Sequence, residues 1–210
     1  MADARPVQPA AGLTVRAVRL EDTRTLYDIC LRTGAFGEDA SALHDDPRLL
    51  GEVYVGPYLA LAPDLAFVLA DAAGLPVGYV LGAADTTTFE ETCERVWWPP
   101  LRARYPVIPS EDSPDAGLVR LIHTPPRTPI DVVEHYPAHL HVDLLPEGQG
   151  SGNGRRLLET LFAALHARRV PGVHLGVSAR NGKAIGFYEH LGFTTLSADE
   201  HGRRMGLLLT

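Results

Sequence analysis

The 210-residue chain holds two stretches whose residue types could do chemistry. The first is Leu144-Leu145-Pro146-Glu147-Gly148-Gln149-Gly150-Ser151-Gly152-Asn153-Gly154-Arg155-Arg156-Leu157, where a strand pattern ends, glycines alternate, and a helix pattern begins. Glycines let backbone N–H groups converge where side chains would block a ligand. The helix N-terminus adds a partial positive charge. Together they suit a phosphate or pyrophosphate. The dinucleotide pattern G-x-G-x-x-G fails, because its third glycine would fall on Asn153 counted from Gly148 and on Arg155 counted from Gly150. The Walker pattern fails too, since no Gly-Lys-Ser/Thr closes the loop. A plain flexible turn is the competing reading, and the strong helix directly behind the turn argues against it.

The second stretch is His139-Leu140-His141-Val142-Asp143. A strand's period of two puts His139, His141 and Asp143 on one face. Asp143, and Asp85 after an earlier strand, are candidates for a general base or a substrate anchor. Each has a structural alternative. Asp85 could cap the turn at Thr86-Thr87-Thr88, and Asp143 could pair with an arginine. His139 and His141 lack an evident third ligand, so a zinc site is disfavoured and no metal is expected.

Several elements must position these residues. Leu13–Val18 alternates like a strand, and Glu21 and Asp22 open a helix that stops at Gly34. Asp46-Pro47 opens a second helix running toward Leu61. Leu65–Ala70 and Val77–Gly82 read as a hairpin around Asp71-Ala72-Ala73-Gly74. Phe89 to Tyr105 has helical character and holds Trp97 and Trp98. Residues 106–137 are broken by prolines and cannot hold a long helix, and a substrate lid or a surface excursion are equally open for them. Strand Leu140–Leu145, helix Gly154–Arg169, strand Val173–Val177, helix Ala184–Leu191 and strand Met205–Leu209 follow. The order fits one mixed α/β domain over residues 12–210, with an insertion at about 86–137 and a flexible tail at 1–11.

Composition narrows the function classes. A net charge of −7 argues against a nucleic-acid partner, and Arg102/Arg104 and Arg203/Arg204 read as solvated surface. No apolar run is long enough to cross a bilayer and no signal peptide is evident, so no membrane partner and a cytoplasmic location are expected. Cys30 and Cys93 lack metal-type spacing and read as reduced thiols.

Gln149-Gly150-Ser151-Gly152-Asn153-Gly154 resembles the Q/R-x-x-G-x-G/A motif of the GNAT acetyltransferase superfamily. Asn181-Gly182-Lys183-Ala184-Ile185-Gly186-Phe187-Tyr188, with Gly192-Phe193, is similar to that family's N-x-x-A-x-x-x-Y…G-F segment. A narrower resemblance, to the acetyltransferase-like C-terminal domain of O-GlcNAcase and its bacterial relatives, rests on Tyr27–Thr33, Gly78–Asp85, Thr88-Phe89, the tryptophan-bearing helix and Val142-Asp143. The eukaryotic domain lacks a good glycine turn, whereas this chain keeps one.

The resemblance implies a mixed central sheet flanked by helices and splayed beside the motif strand. It also implies acetyl-CoA as cofactor and transfer of acetyl to a small-molecule or peptide amine by direct attack on the thioester. The alternative is a catalytically silent acetyl-CoA-binding or substrate-recognition domain. Cofactor contacts then fall to Leu144, Leu145, Gln149, Gly150, Ser151, Gly152, Asn153, Gly154, Arg155, Asn181 and Tyr188. Tyr188 would protonate the departing thiolate, Asn181 would bond the pantetheine arm or a site water, and the Leu145 amide would polarise the carbonyl. Asp143 and Asp85 complete the catalytic candidates. Trp97, Trp98 and Tyr105 could line an acceptor pocket, with core packing expected for at least one tryptophan. A homodimer is compatible with the family pattern.

Overall fold

A computed structural model of the protein describes residues 12–107 and 112–209. The tail at 1–11 and part of the proline-broken insertion lie outside the described residues. The strands are β1 (Thr14–Ala17), β2 (Ala66–Ala70), β3 (Pro76–Ala83), β4 (Ala138–Leu144), β5 (Gly172–Ser178), β6 (Thr194–Ala198) and β7 (Gly202–Leu208). They form one sheet in the order β1-β2-β3-β4-β5-β7-β6. All pairs are antiparallel except β4 with β5, which run parallel and pair only at Ala138↔Val173 and His139↔His174. Beyond those residues the two strands part, and the sheet opens down its middle.

Helices cover both faces. On one lie α1 (Thr23–Thr33), α2 (Leu49–Tyr54), α3 (Gly56–Leu61), α5 (Trp98–Arg104) and α6 (Pro114–His123), packed through Leu26, Ile29, Leu49, Trp98 and Ile122 against Tyr79 and Leu81 of β3. On the other lie α8 (Asn153–Ala167) and α9 (Gly182–His190). The α8 stripe Leu157, Leu158, Leu161 and Leu165 is buried against Val80, Val173 and Met205. The 3.6-residue period of that stripe is what the sequence displayed. β3 is buried along its whole length, as a central strand must be. Among the described residues no helix is long and apolar enough to cross a membrane.

Three expectations change. The helix expected from Asp46 to Leu61 is two short ones, because Gly56-Pro57 interrupts the ladder at Val55. The insertion is more helical than its prolines suggest. A continuous helical rod runs through α4 (Thr86–Thr92), a π-helical turn (Cys93–Trp97) and α5. Pro99 and Pro100 lack the amide hydrogens that a regular ladder would need there. Ser113 then accepts from the Ala116 amide to cap α6, with Pro114 in the first turn, and α7 (Ile130–His135) follows. Finally, β6 had no visible sequence signal. Its residues TTLSA are largely exposed and polar, and it lies at the sheet edge with a register irregularity between Thr195 and Ser197.

Candidate active site

The site forms where β4 and β5 part. The Leu145 amide donates to the Val77 carbonyl at 2.9 Å, and the register sets Gly78 opposite Leu144. Bonded pairs alternate along an antiparallel ladder. The amides of Asp143 and His141 therefore also face β3, while those of Leu144 and Val142 face the gap left by β5. The expected donor is thus corrected. The Leu145 amide is consumed by the sheet and its side chain is buried, so Leu144 presents the free N–H.

At the far end of β4 the glycine turn begins. Gly150, Ser151 and Gly152 adopt φ values of 78°, 48° and 75°, three successive left-handed residues. Such a run turns consecutive amides into one concave surface. No side chain caps α8. Among the described residues no protein acceptor meets the amides of Gly150, Ser151, Gly152, Gly154 or Arg155. A Cβ built on Gly150 or Gly152 meets nothing within 4 Å, so both face open space. Gly148 and Gly154 have a different task, close packing, since a Cβ there would approach the Val77 carbonyl at 2.9 Å and the Phe187 ring at 3.0 Å.

Two expected cofactor contacts turn inward or away. Asn153 is buried, with Nδ2 donating to the Gly148 carbonyl at 3.1 Å and Oδ1 accepting from Arg156 at 3.0 Å. It braces the turn. The Arg155 side chain is exposed and pairs with Glu159 one helical turn on, which leaves only its backbone amide for the site. Gln149 donates from Nε2 to the Leu144 carbonyl at 3.0 Å and ties the turn to β4.

A cleft of ≈ 530 Å³ runs from this turn along β4, lined by Leu144, Gln149, Gly150, Asn181, Phe187 and Tyr188. It continues past Asp143, Asn181 and Tyr188 into a chamber of ≈ 320 Å³ between the parted strands. Asn181 caps α9 by accepting from the Ala184 amide at 3.0 Å, which leaves its Nδ2 donor free of protein partners among the described residues. The Tyr188 ring packs against Phe187 and Phe193, and its hydroxyl likewise has no protein partner among those residues. Burial, with the Asp143 charge nearby, pushes the Tyr188 phenol well above its ordinary range. It stays protonated at neutral pH.

Asp143 pairs with no arginine among the described residues. The Tyr79 hydroxyl donates to Asp143 Oδ2 at 2.5 Å. Burial raises the carboxyl pKa, and the hydroxyls of Tyr79 and Thr33 offset part of that rise. On the same strand face burial drives His139 and His141 the other way, His141 to about 4, so both imidazoles are neutral at pH 7. Among the described residues no group of three or more His, Cys, Asp or Glu could hold a metal. Cys30 and Cys93 are buried free thiols, both raised by desolvation.

Asp85 stands apart from this group. It is exposed, follows β3 six residues after Tyr79, and accepts from the Thr88 amide at 2.8 Å as the cap of α4. Its role is to start the inserted helix. Asp85→Ala is expected to cost about 1 kcal/mol of stability, seen as a lower urea midpoint, with cofactor affinity unchanged.

The structure adds residues that the sequence did not flag. Tyr79 read only as a strand aromatic. Phe36, in the loop after α1, sits at φ 58°, strained for a bulky side chain, and lines the cleft. Arg180 lies over its ring at 4.1 Å and links the loop after α1 to the one before α9. Of the three candidate aromatics in the insertion, Trp98 is buried and reaches a third chamber. Trp97 donates to the Glu52 carbonyl at 3.0 Å and Tyr105 to Asp46 at 2.8 Å, so both are structural.

The acetyltransferase (GNAT) domain family profile matches residues 116–195. The crystal structure of SsHAT is similar over 95% of this chain and 99% of its own, at 42% identity and a TM-score of 0.89. Protein O-GlcNAcase of Rattus norvegicus is 26% identical over 193 residues, which cover 89% of this chain. The chain spans about a fifth of that relative's length, 21%. The fold alone is shared with yncA from Salmonella typhimurium, solved with its cofactor acetyl-CoA, at 16% identity and a TM-score of 0.54 over 95% of each chain. With a splayed sheet, an open glycine turn and a relative at 42% identity along nearly its whole length, the chain belongs to the GNAT superfamily of acetyltransferases.

Proposed function

We propose that the protein is an acetyl-CoA-dependent N-acetyltransferase that moves an acetyl group directly from the thioester to an amine. The observation that carries this reading is the gap between β4 and β5, with unpartnered amides at Gly150–Gly152 at one end and Asp143 and Tyr188 in its middle. The residues present fit the cofactor. The left-handed turn and the uncapped start of α8 offer a concave donor surface to a pyrophosphate. The edge of β4 offers the Val142 and Leu144 amides to an extended arm.

Acetyl-CoA supplies an activated acetyl group, and the remaining work falls to this chain. A lysine-like amine has a pKa near 10.4, so its deprotonation at pH 7 costs roughly 4–5 kcal/mol. Asp143 receives that proton at Oδ1, while Tyr79 holds Oδ2. Its raised pKa makes it a better base than an exposed carboxylate. The Leu144 amide donates toward the oxygen where negative charge develops. Tyr188, kept protonated, donates from its hydroxyl to the leaving sulfur. Asn181 Nδ2, without a protein partner among the described residues, donates to the cofactor arm or to a site water, and Phe36 lines the cleft beside it.

Thermal-shift titration with acetyl-CoA, paired with free-thiol release over a panel of amines, tests the reading. Stabilisation and amine-dependent thiol release are expected. No stabilisation by millimolar acetyl-CoA would sink it, and stabilisation without thiol release across the panel would leave a cofactor-binding module.

A further inference from the structure

Beyond His141 the cleft opens into a third chamber of ≈ 390 Å³ beneath the inserted helices. Resting on the transferase reading above, we propose that this chamber is the acceptor pocket and that it takes a compact amine with a flat apolar ring and an anionic group at its far end.

The chamber lies on the right side of the reaction centre. Strand alternation puts His139, His141 and Asp143 on one face, and His141 and Tyr54 wall both this chamber and the middle one. An amine reaching Asp143 therefore has its body here. The inserted segment closes the chamber through Leu121, Pro125, Pro126 and Thr128, which gives the proline-broken stretch a task in this site.

The wall selects a ring. Tyr58 and Phe89 stack at 4.7 Å, and His139 and His141 meet Tyr58 edge-on at 5.5 and 5.4 Å. These imidazoles carry no charge at neutral pH. Such a wall offers ring faces and edges, the geometry that an aromatic body packs against. Glu90 adds no free carboxylate, because it accepts from the amide and hydroxyl of Thr128 and pairs with Arg127 at 3.6 Å.

The anionic group follows from Arg204 and Gly176. Arg204 on β7 lines the chamber and is only partly exposed, yet among the described residues its guanidinium has no ion-pair or hydrogen-bond partner. A guanidinium so placed matches a carboxylate with two parallel hydrogen bonds. Its register partner on β5 is Gly176. A glycine inside a strand weakens it and often marks close approach of a ligand. Gly176 has no left-handed φ to justify it, and a Cβ built there meets nothing within 4 Å. The glycine leaves open floor beside the guanidinium. Extending the β4–β5 register sets Gly176 level with His141, two residues short of Asp143, or about 7 Å along the strand. That is about the amine-to-carboxylate span of a ring carrying the two groups at opposite ends, as in 4-(aminomethyl)benzoate.

The test is calorimetric binding of 4-(aminomethyl)benzoate, benzylamine and propylamine in the presence of CoA, which has no acetyl group to transfer. The carboxylate compound is expected to bind at least tenfold more tightly than benzylamine, and benzylamine more tightly than propylamine. Arg204→Gln should erase the carboxylate's advantage while leaving benzylamine unchanged. Gly176→Leu should abolish binding of both ring compounds, while Arg204→Gln should preserve the acetyl-CoA thermal shift. Equal binding of benzylamine and its carboxylate by the unaltered protein, no binding of either, or wild-type binding by Gly176→Leu overturns the proposal. The expected binding pattern without thiol release from acetyl-CoA would uphold the pocket and count against transfer.

Discussion

Asp143→Asn is expected to lower kcat/KM for acetyl transfer by about 10²–10⁴-fold, the usual worth of a positioned general base, while acetyl-CoA affinity stays within about twofold of the unaltered protein. The change removes one proton acceptor and keeps the shape. The introduced carboxamide would still accept the Tyr79 hydroxyl bond that Asp143 Oδ2 accepts now. The pH profile carries the sharper signature. Burial lifts the Asp143 carboxyl above the ordinary carboxylate range, so activity should fall as pH drops through that raised value. The variant's residual activity should lack this acid limb.

Stability should move the other way. A carboxyl whose pKa is higher folded than unfolded stabilises the fold at pH below the unfolded value and loses that contribution as pH rises through the folded one. At pH 7 the buried charge is a burden, so Asp143→Asn should melt no lower than the unaltered protein. A melting temperature several degrees lower, or an unchanged acid limb, would contradict the role of base.

Gly152→Val is expected to weaken acetyl-CoA binding by at least tenfold, with the melting temperature of the free protein lowered as well. Gly152 sits at φ 75°, ψ 10°, immediately before α8. A β-branched residue there is a true outlier, costing of order 1–3 kcal/mol. The turn then either carries that strain or relaxes and disperses the amides of Gly150, Ser151 and Gly152. Both outcomes harm the anion cradle. The side chain itself meets open space, so steric crowding of the protein is not the cause. Titration calorimetry with acetyl-CoA and with CoA should show the same loss, since both carry the pyrophosphate. A loss confined to acetyl-CoA would mean that the turn does not hold that group.

Much of this site was legible in the sequence because its parts are local. The alternation of Gly148, Gly150, Gly152 and Gly154 before the leucine stripe of α8 needs no distant partner to be read. Backbone geometry within a few residues makes the cradle. The segment from Asn181 to Tyr188 is local in the same way, a capped helix whose tyrosine falls two turns on. Leu145 failed as the donor for a reason the sequence does not display. Which amides of β4 face the gap depends on the register with β3, and a shift of one residue would reverse every assignment.

The sequence by itself determined most of the elements and their order, β6 excepted, and the glycine turn before α8, because periodicity and glycine placement act over short range. Tertiary structure alone decided that Tyr79 holds Asp143 across 64 positions of the chain. It also decided that β4 and β5 stop pairing after two residue pairs. That parting opens the cleft, strips the Leu144 amide of a partner and exposes Gly176 beside Arg204. Each of these follows from the pairing and packing of segments far apart in the chain, which no single stretch of residues encodes.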